Sequence, residues 1–255
     1  MLRTLKLTIA YDGTNYAGWQ RQANAISIQQ VLEDEIDAIV GAHHPLNAAG
    51  RTDAGVHAAA QVASITIDHP IATGELLRAL NARLKAGDIR VRSIEEMPDR
   101  WDARIFAKGK TYRYAIWNGA PPSPFWRHVV WHVPHRLDID RMQRAAHALI
   151  GEHDFAAFRA AGCTAKTTTR RVDSIALTRS APYLLDIDIR GNAFLRQMVR
   201  ILVGTLTEVG TGRRSAAQVP EILASKDRTR AGITAPAHGL ELIEVRYDGV
   251  RVPRV

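Results

Sequence analysis

A short segment of the chain places an arginine and an aspartate between two glycines, in the order Gly50-Arg51-Thr52-Asp53-Ala54-Gly55. Glycine permits a tight turn and the close approach of a second backbone, so we expect a packed loop with Asp53 near its tip. A carboxylate held there could act as a nucleophile or a base. A surface turn with a local ion pair is the simpler interpretation, but the small residues on either side favour a loop presented to a ligand.

Other kinds of site lack part of the pattern that they need. Gly109-Lys110-Thr111 is similar to the end of a phosphate-binding P-loop, but Arg104 stands where the first glycine is required. A base deaminase needs a zinc site with paired cysteines, whereas this chain has one cysteine, Cys163, with no evident basic partner. Three histidines lie on a strand-like segment, namely His128, His132 and His135. No carboxylate cluster accompanies them, so we expect structural or exposed side chains and no metal.

The elements that position these residues are predicted from hydrophobic periodicity. Alternating apolar residues indicate strands over residues 5–11, 63–67, 89–92, 111–116, 129–133, 175–177, 183–189 and 243–247. Helical spacing is found over residues 28–39, 76–84, 142–149 and 194–209, and a shorter helix follows residue 215. The expected N-caps are Ser27, Thr73, Asp138, Asn192 and Ser215, and the expected stops are Gly41, Gly151 and Gly210.

Each half of the chain therefore mixes several strands with about two helices, which predicts an α+β fold. The strands alternate apolar and polar residues, and this favours mostly antiparallel sheets with helices on one face and the other face open. An open sheet face on a basic protein is a plausible platform for RNA. We predict two domains, residues 1–104 and 105–255, without a flexible linker between them.

The composition indicates a globular protein with a polyanionic partner. Of the 255 residues, 46% are hydrophobic and 24% are charged, and the formal net charge is +8. A basic balance of this size favours nucleic acid first and an acidic membrane surface second. A single cysteine cannot form an internal disulfide, which fits a reducing compartment. The N-terminal residues lack a signal-peptide pattern and no apolar run reaches membrane-spanning length, so we expect a cytoplasmic protein without a membrane partner.

Several segments, in order along nearly the whole chain, resemble the TruA family of tRNA pseudouridine synthases. The loop over residues 50–58 matches the signature loop of that family without a visible departure. Further similar segments are Ala10–Thr14, Tyr16–Gln20, Lys110–Tyr114, Gly151–Phe155, Gly191–Leu195, Met198–Arg200, Val203–Gly204 and Ala235–Leu240.

The resemblance implies a fold, an activity and partners. Members of the family have two similar ferredoxin-like or RRM-like halves whose sheets join into one platform, with an active-site cleft between the halves. They act as homodimers on the anticodon stem-loop of tRNA, at positions 38–40, and isomerise uridine to pseudouridine without a metal or an organic cofactor. Scattered lysines and arginines should then contact phosphates, which would weaken binding as the salt concentration rises.

The resemblance also assigns roles to five residues. Asp53 corresponds to the catalytic aspartate and is expected to act as the nucleophile, although its type alone leaves open attack on C1′, addition to the ring or removal of a sugar proton. Arg200 is expected to pair with Asp53 and keep it charged, and Tyr112 to stack on the flipped uracil. Arg51 is expected to fill the space of the flipped nucleotide or hold a phosphate. Leu240 is expected beneath the base, with an ordinary core position as the alternative.

Two other functions are compatible with the same fold. A non-catalytic RNA-binding protein would need neither a carboxylate at position 53 nor a phenol at position 112, and this chain has both. A hydrolase using Asp53 would cleave the glycosidic bond and leave an abasic site.

Overall fold

The computed structural model describes residues 2–248, which group into two compact units. Unit 1 contains the residues up to Lys108 together with the described residues from Glu241 onward, and unit 2 is Gly109–Leu240. This division differs from the predicted boundary after residue 104 chiefly at the end of the chain. The last strand belongs with unit 1 because it pairs there, Glu241 lying opposite His57.

Residues 2–248 form ten strands and five α-helices. The strands are β1 (Arg3–Tyr11), β2 (Asn47–Ala48), β3 (His57–Ile67), β4 (Ile89–Met97), β5 (Gly109–Asn118), β6 (Trp131–Val133), β7 (Gly151–Asp154), β8 (Thr169–Ala181), β9 (Leu184–Gly191) and β10 (Leu240–Arg246). The helices are α1 (Ile28–Val40), α2 (Thr73–Arg83), α3 (Ile139–His147), α4 (Met198–Gly210) and α5 (Gln218–Ser225). Within residues 2–248, no helix has the length and apolar character needed to cross a membrane.

Unit 1 is built on a sheet with the strand order β4-β1-β3-β10, and β2 pairs with β3. β1 runs antiparallel to both β3 and β4, whereas β10 runs parallel to β3. One face of β1 carries Leu5, Leu7 and Ile9, which are fully buried together with Leu32 of α1 and Leu80 of α2. The predicted α+β class, with mostly antiparallel strands, is confirmed here.

The second face of this sheet is covered, so the predicted open face is wrong in unit 1. Lys6 points to this face and is fully buried, with its Nζ 3.1 Å from Glu95 Oε1. Ser64, which lies opposite Lys6, accepts a hydrogen bond of 3.0 Å from the backbone N–H of Ala103. The hydroxyl of Tyr247 donates to the carbonyl of Ala103 at 2.7 Å. The segment after β4 therefore lies over the polar side of β1 and β3 and removes it from water.

In unit 2, β5, β9, β8 and β7 pair antiparallel in that order, and β6 runs parallel to β5. One face is apolar: Tyr114 and Ile187, which lie opposite each other, are fully buried. Tyr114 is thus a core residue of unit 2. The opposite face carries Arg113 and Asp188, paired at 2.8 Å with both side chains partly exposed. The predicted open polar face is thus present in unit 2.

Local sequence signals define several helix ends. The Oγ of Ser27 accepts a hydrogen bond from the backbone N–H of Gln30 at 3.2 Å, and α1 ends where Gly41 adopts a φ of 81°. Asp138 accepts from the N–H of Arg141 at 2.9 Å and caps α3. These contacts satisfy N–H groups that have no partner within the helix, so the predicted caps are confirmed.

The predicted start of α4 at Asn192 is wrong, because the helix begins at Met198. The side chain of Asn192 accepts hydrogen bonds from the backbone N–H groups of Arg171 and Ala193, at 2.9 and 2.7 Å. Gln197 then adopts a left-handed φ of 57° immediately before the helix. Asn192 therefore binds the neighbouring strand and does not cap the helix. The spacing of residues in the sequence does not show which of these two partners an asparagine has.

Smaller differences concern three other helix ends. Thr73 is the first residue of α2 and makes no capping hydrogen bond. Gly151 begins β7, since α3 has already ended at His147. The backbone N–H of Ser215 donates to Gln218 Oε1 at 2.9 Å, which is one half of the predicted capping box.

Two helical glycines provide a matched test of packing. A Cβ added at Gly204 would lie 1.9 Å from the carbonyl oxygen of Ile233, whereas one at Gly74 would meet nothing closer than 3.7 Å. We expect Gly204→Ala to lower the free energy of unfolding by about 1–3 kcal/mol or more, since backbone must move. Gly74→Ala should raise it by up to about 1 kcal/mol through helix propensity. Urea denaturation of both variants measures this, and equal effects would contradict the close contact at Gly204.

Candidate active site

Asp53 lies at the turn of the loop between β2 and β3 in unit 1. The N–H of Val56 donates to the carbonyl of Asp53 at 3.1 Å, and Gly55 between them has a φ of 77°. A turn with a positive φ at its third residue strongly favours glycine there. Asp53 is half-buried and Arg51 is exposed. The chain therefore holds a carboxylate at the tip of a tight turn, as the glycine spacing predicts.

Two glycines of the segment after β1 allow this loop to pack against that segment. A Cβ at Gly13 would lie 2.1 Å from the carbonyl oxygen of Val56. One at Gly18, whose φ is 90°, would lie 2.6 Å from the carbonyl oxygen of Thr52. Both distances are far below van der Waals contact, so any side chain at either position would push the loop away.

Hydrogen bonds also hold the residues on either side of Arg51 in place. The hydroxyls of Tyr11 and Thr52 lie 2.8 Å apart in a buried contact. The backbone N–H of Trp19 donates to the carbonyl of Thr52 at 3.1 Å, and Gln61 Nε2 donates to the carbonyl of Gly50 at 2.8 Å. The residues on both sides of Arg51 are thereby tied to β1, to β3 and to the segment after β1.

The ionisation of Tyr11 is consistent with this role. Burial raises the pKa of Tyr11 to about 12, although hydrogen bonds with Thr52 and Gln61 oppose the shift. The phenol is therefore neutral at physiological pH, and its O–H can donate a hydrogen bond to the hydroxyl of Thr52. The sequence had indicated Tyr11 only as an inward-facing strand residue, and it had indicated no role for Thr52 or Gln61. A polar side chain predicted on a buried strand face is the signal that could have identified Tyr11.

Tyr112 lies on β5 of unit 2, opposite Ile189. Its side chain is largely buried, and its ring meets that of Phe194 edge-on, with 5.4 Å between the ring centroids. Edge-to-face packing of this kind fixes the plane of a ring. Phe194 belongs to the irregular segment before α4, which begins at Met198.

Arg200 lies in the first turn of α4, in the same unit. Its Nε donates to the carbonyl of Ala235 at 2.7 Å, and the N–H of Ala235 donates back to the carbonyl of Arg200 at 3.1 Å. Beside it, the hydroxyl of Tyr114 donates to the carbonyl of Pro236 at 2.8 Å. Burial raises the pKa of Tyr114, and the positive charge of Arg200 opposes that shift. The side chain of Arg200 is therefore fixed by a hydrogen bond to the backbone and is not a freely solvated arginine on the helix surface.

Leu240 follows the same segment and is buried. The segment before it is packed closely, because a Cβ at Gly239 would lie 2.7 Å from the ring of Tyr114. Burial of Leu240 fits both a position beneath a bound base and an ordinary core position, which are the two alternatives that the sequence left open.

Metal-binding groups are not clustered in the described part of the chain. Among residues 2–248, no group of three or more His, Cys, Asp or Glu side chains could hold an ion. The Nε2 of His132 lies 2.9 Å from the carbonyl oxygen of Gly119, whereas His128 and His135 are exposed. The predicted structural or exposed character of these histidines is confirmed.

Removal of one hydroxyl should loosen the loop. In Tyr11→Phe the buried hydroxyl of Thr52 loses its 2.8 Å partner, and we expect about 1–3 kcal/mol less stability in urea denaturation. The backbone amide of Val56 should also exchange faster with deuterium. Tyr183→Phe is the matched control, since Tyr183 is exposed and should change stability by less than about 0.5 kcal/mol. Equal stability losses in the two variants would show that the Tyr11 hydroxyl does not hold the loop.

Comparison with known proteins places these features in a family. The sequence model of the tRNA pseudouridine synthase family matches residues 7–104 and 145–248. Among curated proteins, the tRNA pseudouridine synthase A of Geotalea uraniireducens is 47% identical over 251 residues, covering 96% of this chain and 100% of the relative. That of Pelobacter propionicus is 47% identical over 246 residues, with the same two coverages.

Among solved structures, a chain of a Cbf5-Nop10-Gar1 complex aligns with a TM-score of 0.37 and 12% identity. The alignment covers 93% of this chain and 48% of that chain, and a similarity at this level supports no argument. The sequence matches alone span both units and include the loop that carries Asp53. The chain belongs to the tRNA pseudouridine synthase family.

Proposed function

We propose that this chain isomerises uridine to pseudouridine at positions 38–40 of the anticodon stem-loop of tRNA, with Asp53 as the nucleophile. The observation that carries the proposal is the half-buried carboxylate of Asp53 at the tip of a turn whose neighbours, Thr52 and Val56, pack directly on glycines. Family membership supports the same activity. A carboxylate on a rigid loop can attack a reacting atom without first losing conformational freedom.

The proposed reaction is an isomerisation. The bond between C1′ and N1 breaks, the uracil turns, a bond forms between C1′ and C5, and the hydrogen on C5 leaves as a proton while N1 gains one. No atom is oxidised and no group donor is consumed. The chemical requirement is a carboxylate that acts on the sugar or the ring, and a protein environment that holds the base out of the RNA stack.

The other site residues have supporting roles in the proposal. Arg200 is the cation that keeps Asp53 charged, and the hydrogen bond from its Nε to Ala235 supports a defined orientation of the guanidinium. Tyr112 stacks on the uracil, with its ring plane set by Phe194. Arg51 is exposed, as a group that replaces the flipped nucleotide or holds a phosphate must be. Leu240 supplies an apolar surface beneath the base.

The proposal extends to the setting in which the enzyme acts. A second copy of the chain as a partner, to form a homodimer, follows from the resemblance to the TruA family. A cytoplasmic location is supported by the presence of a single cysteine, which suits a reducing compartment. The net charge of +8 supports tRNA as the polyanionic partner.

Substitution of the nucleophile should separate binding from chemistry. Asp53→Asn keeps the shape of the side chain but removes its charge, so tRNA binding should persist while turnover falls by a factor of at least about 10⁴. The measurement is tritium release from tRNA labelled at C5 of uridine, with a chelator present. Asp99→Asn is the matched control, because Asp99 is exposed, and it should turn over normally.

The same assay distinguishes the alternatives. A non-catalytic RNA-binding protein would bind tRNA and release no tritium, and a hydrolase would leave abasic sites with the label still on the free base. Near-normal turnover by Asp53→Asn would contradict the nucleophile assignment.

Loss of the guanidinium should affect turnover more than binding. In Arg200→Met we expect kcat to fall about 100-fold with a smaller change in KM, because a charge near the reacting groups matters most in the transition state. Arg213→Met is a control that removes one exposed charge from the same unit. Equal kcat values for the two variants would argue against the role of Arg200.

A further inference from the structure

Unit 2 carries a group of basic side chains without neighbouring acids in sequence. The segment from Arg159 to Arg171 contains no aspartate or glutamate. The carboxylates that flank it, Asp154 and Asp173, pair with Lys226 and Arg171 at 2.9 and 2.8 Å. We define the cationic patch as three cations of this segment together with Arg196, which precedes α4. Its members are Arg159, Lys166, Arg170 and Arg196. Among residues 2–248, none of these four pairs with a carboxylate, whereas Arg113, Arg141, Arg171 and Arg214 of the same unit do.

Two arginines of the patch, Arg170 and Arg196, are held in place by backbone carbonyls. Nη1 of Arg196 donates to the carbonyl of Ala161 at 3.1 Å and lies so close to Gly162 that a Cβ there would be 2.7 Å away. Nη1 of Arg170 donates to the carbonyls of Thr167 and Thr169, at 3.1 and 2.6 Å. Carbonyls orient a guanidinium without neutralising its charge, so these two side chains are both ordered and positive.

The pKa of the Cys163 thiol is affected by the positive charges of the patch. Burial would raise the pKa of Cys163, but hydrogen bonds with the backbone of Arg196 and Ala165 and the charges of Arg159 and Arg170 hold it below the ordinary value. Two of the four cations therefore act on one half-exposed atom, and Arg196 contacts the same loop. The sequence alone predicted no basic partner for Cys163, because the spacing of Arg159 and Arg170 along the chain does not show that both lie close to the thiol.

The patch is continuous with the proposed site through the segment before α4. Phe194 meets the ring of Tyr112, and Arg196 follows two residues later. Asn192 of the same segment is hydrogen-bonded to the backbone of Arg171 on β8, at 2.9 Å. The segment before α4 thus carries both Phe194, which packs against the ring of Tyr112, and Arg196, which belongs to the patch.

We infer that the cationic patch binds backbone phosphates of the tRNA next to the nucleotide that reacts. This inference rests on the proposed function for the identity of the RNA. The chemistry of recognition is that of guanidinium and ammonium groups with phosphate oxygens, which is independent of base sequence. An RNA strand that places one uridine against Tyr112 extends from there across the patch and meets four unneutralised positive charges.

The first test removes two charges without breaking a described contact. The side chains of Arg159 and Lys166 make no hydrogen bond or ion pair within residues 2–248, so Arg159→Gln/Lys166→Gln should fold normally. We expect tRNA binding to weaken about tenfold at physiological salt, with KM rising in parallel. The slope of log Kd against log salt concentration should decrease by about 2, since each phosphate contact contributes about 1.

A matched variant controls for the loss of net charge. Arg78→Gln/Lys85→Gln also removes two exposed cations without described hydrogen bonds or ion pairs, but from unit 1. It should leave the salt slope within about 0.5 of the wild-type value. If the patch variant changes the affinity and the slope no more than this control does, the inference is wrong.

The second test uses the native thiol as a probe. Cys163 is the single cysteine of the chain, so the rate of its alkylation by iodoacetamide reports on one place. Saturating unmodified tRNA should slow this reaction at least about fivefold, and high salt should restore it. In Cys163→Ser/Ser180→Cys the thiol lies at the far end of β8, about 30 Å along the strand from Arg170, and should be protected less.

The two tests and the activity assay fail in different ways. If tRNA binds but leaves the alkylation of Cys163 unchanged, or protects both cysteines equally, the RNA does not lie on the patch and the inference is overturned. Tritium release by the wild-type chain tests the isomerisation separately, so an inactive protein with a protected Cys163 would contradict the proposed function and support the patch.

Discussion

The close approach of two backbone segments is the constraint on which the rest of unit 1 depends. Residues 52–56 lie against the segment after β1 at distances that only glycine allows, at Gly13 and Gly18. The hydroxyls of Tyr11 and Thr52 then join the loop to the end of β1. Because these contacts act on the backbone on both sides of Asp53, the carboxylate is positioned by the sheet and does not depend on the conformation of a flexible loop.

In unit 2, side chains are positioned by regular secondary structure and not by a tight loop. The two side chains of this unit that are proposed to act in the site lie on regular elements, Tyr112 on a strand and Arg200 on the first turn of a helix. The segment before β10 then holds the arginine through the reciprocal hydrogen bonds of Ala235, and Tyr114 holds the next carbonyl. Phe194, in the irregular segment before α4, meets the ring of Tyr112 edge-on.

Charge is distributed unevenly between and within the units. In unit 1 a buried lysine, Lys6, is paired with Glu95, and the polar side of the sheet is covered. In unit 2 the open sheet face is largely neutralised by pairs such as Arg113 with Asp188. The cationic patch is different because two of its arginines, Arg170 and Arg196, bond to carbonyls and keep their full charge. Positive charge without a partner costs little at an exposed site and attracts a polyanion, whereas paired charge mainly stabilises the fold.

The sequence by itself determined the α+β class, most strands and helices, and the turn at Asp53, because these depend on local periodicity, capping and glycine spacing. Resemblance to a family supplied the roles of Tyr112 and Arg200, which spacing alone could not separate from core and surface positions. Only the tertiary structure decided that β10 pairs in unit 1, that α4 begins at Met198, and which side chains hold the loop. Each of these depends on contacts between residues far apart in the chain, such as Asn192 with Arg171, Tyr11 with Thr52 and Ser64 with Ala103. Local patterns carry no information about such partners, since a polar side chain is compatible with a cap, a solvated surface or a buried bond until the opposing group is known.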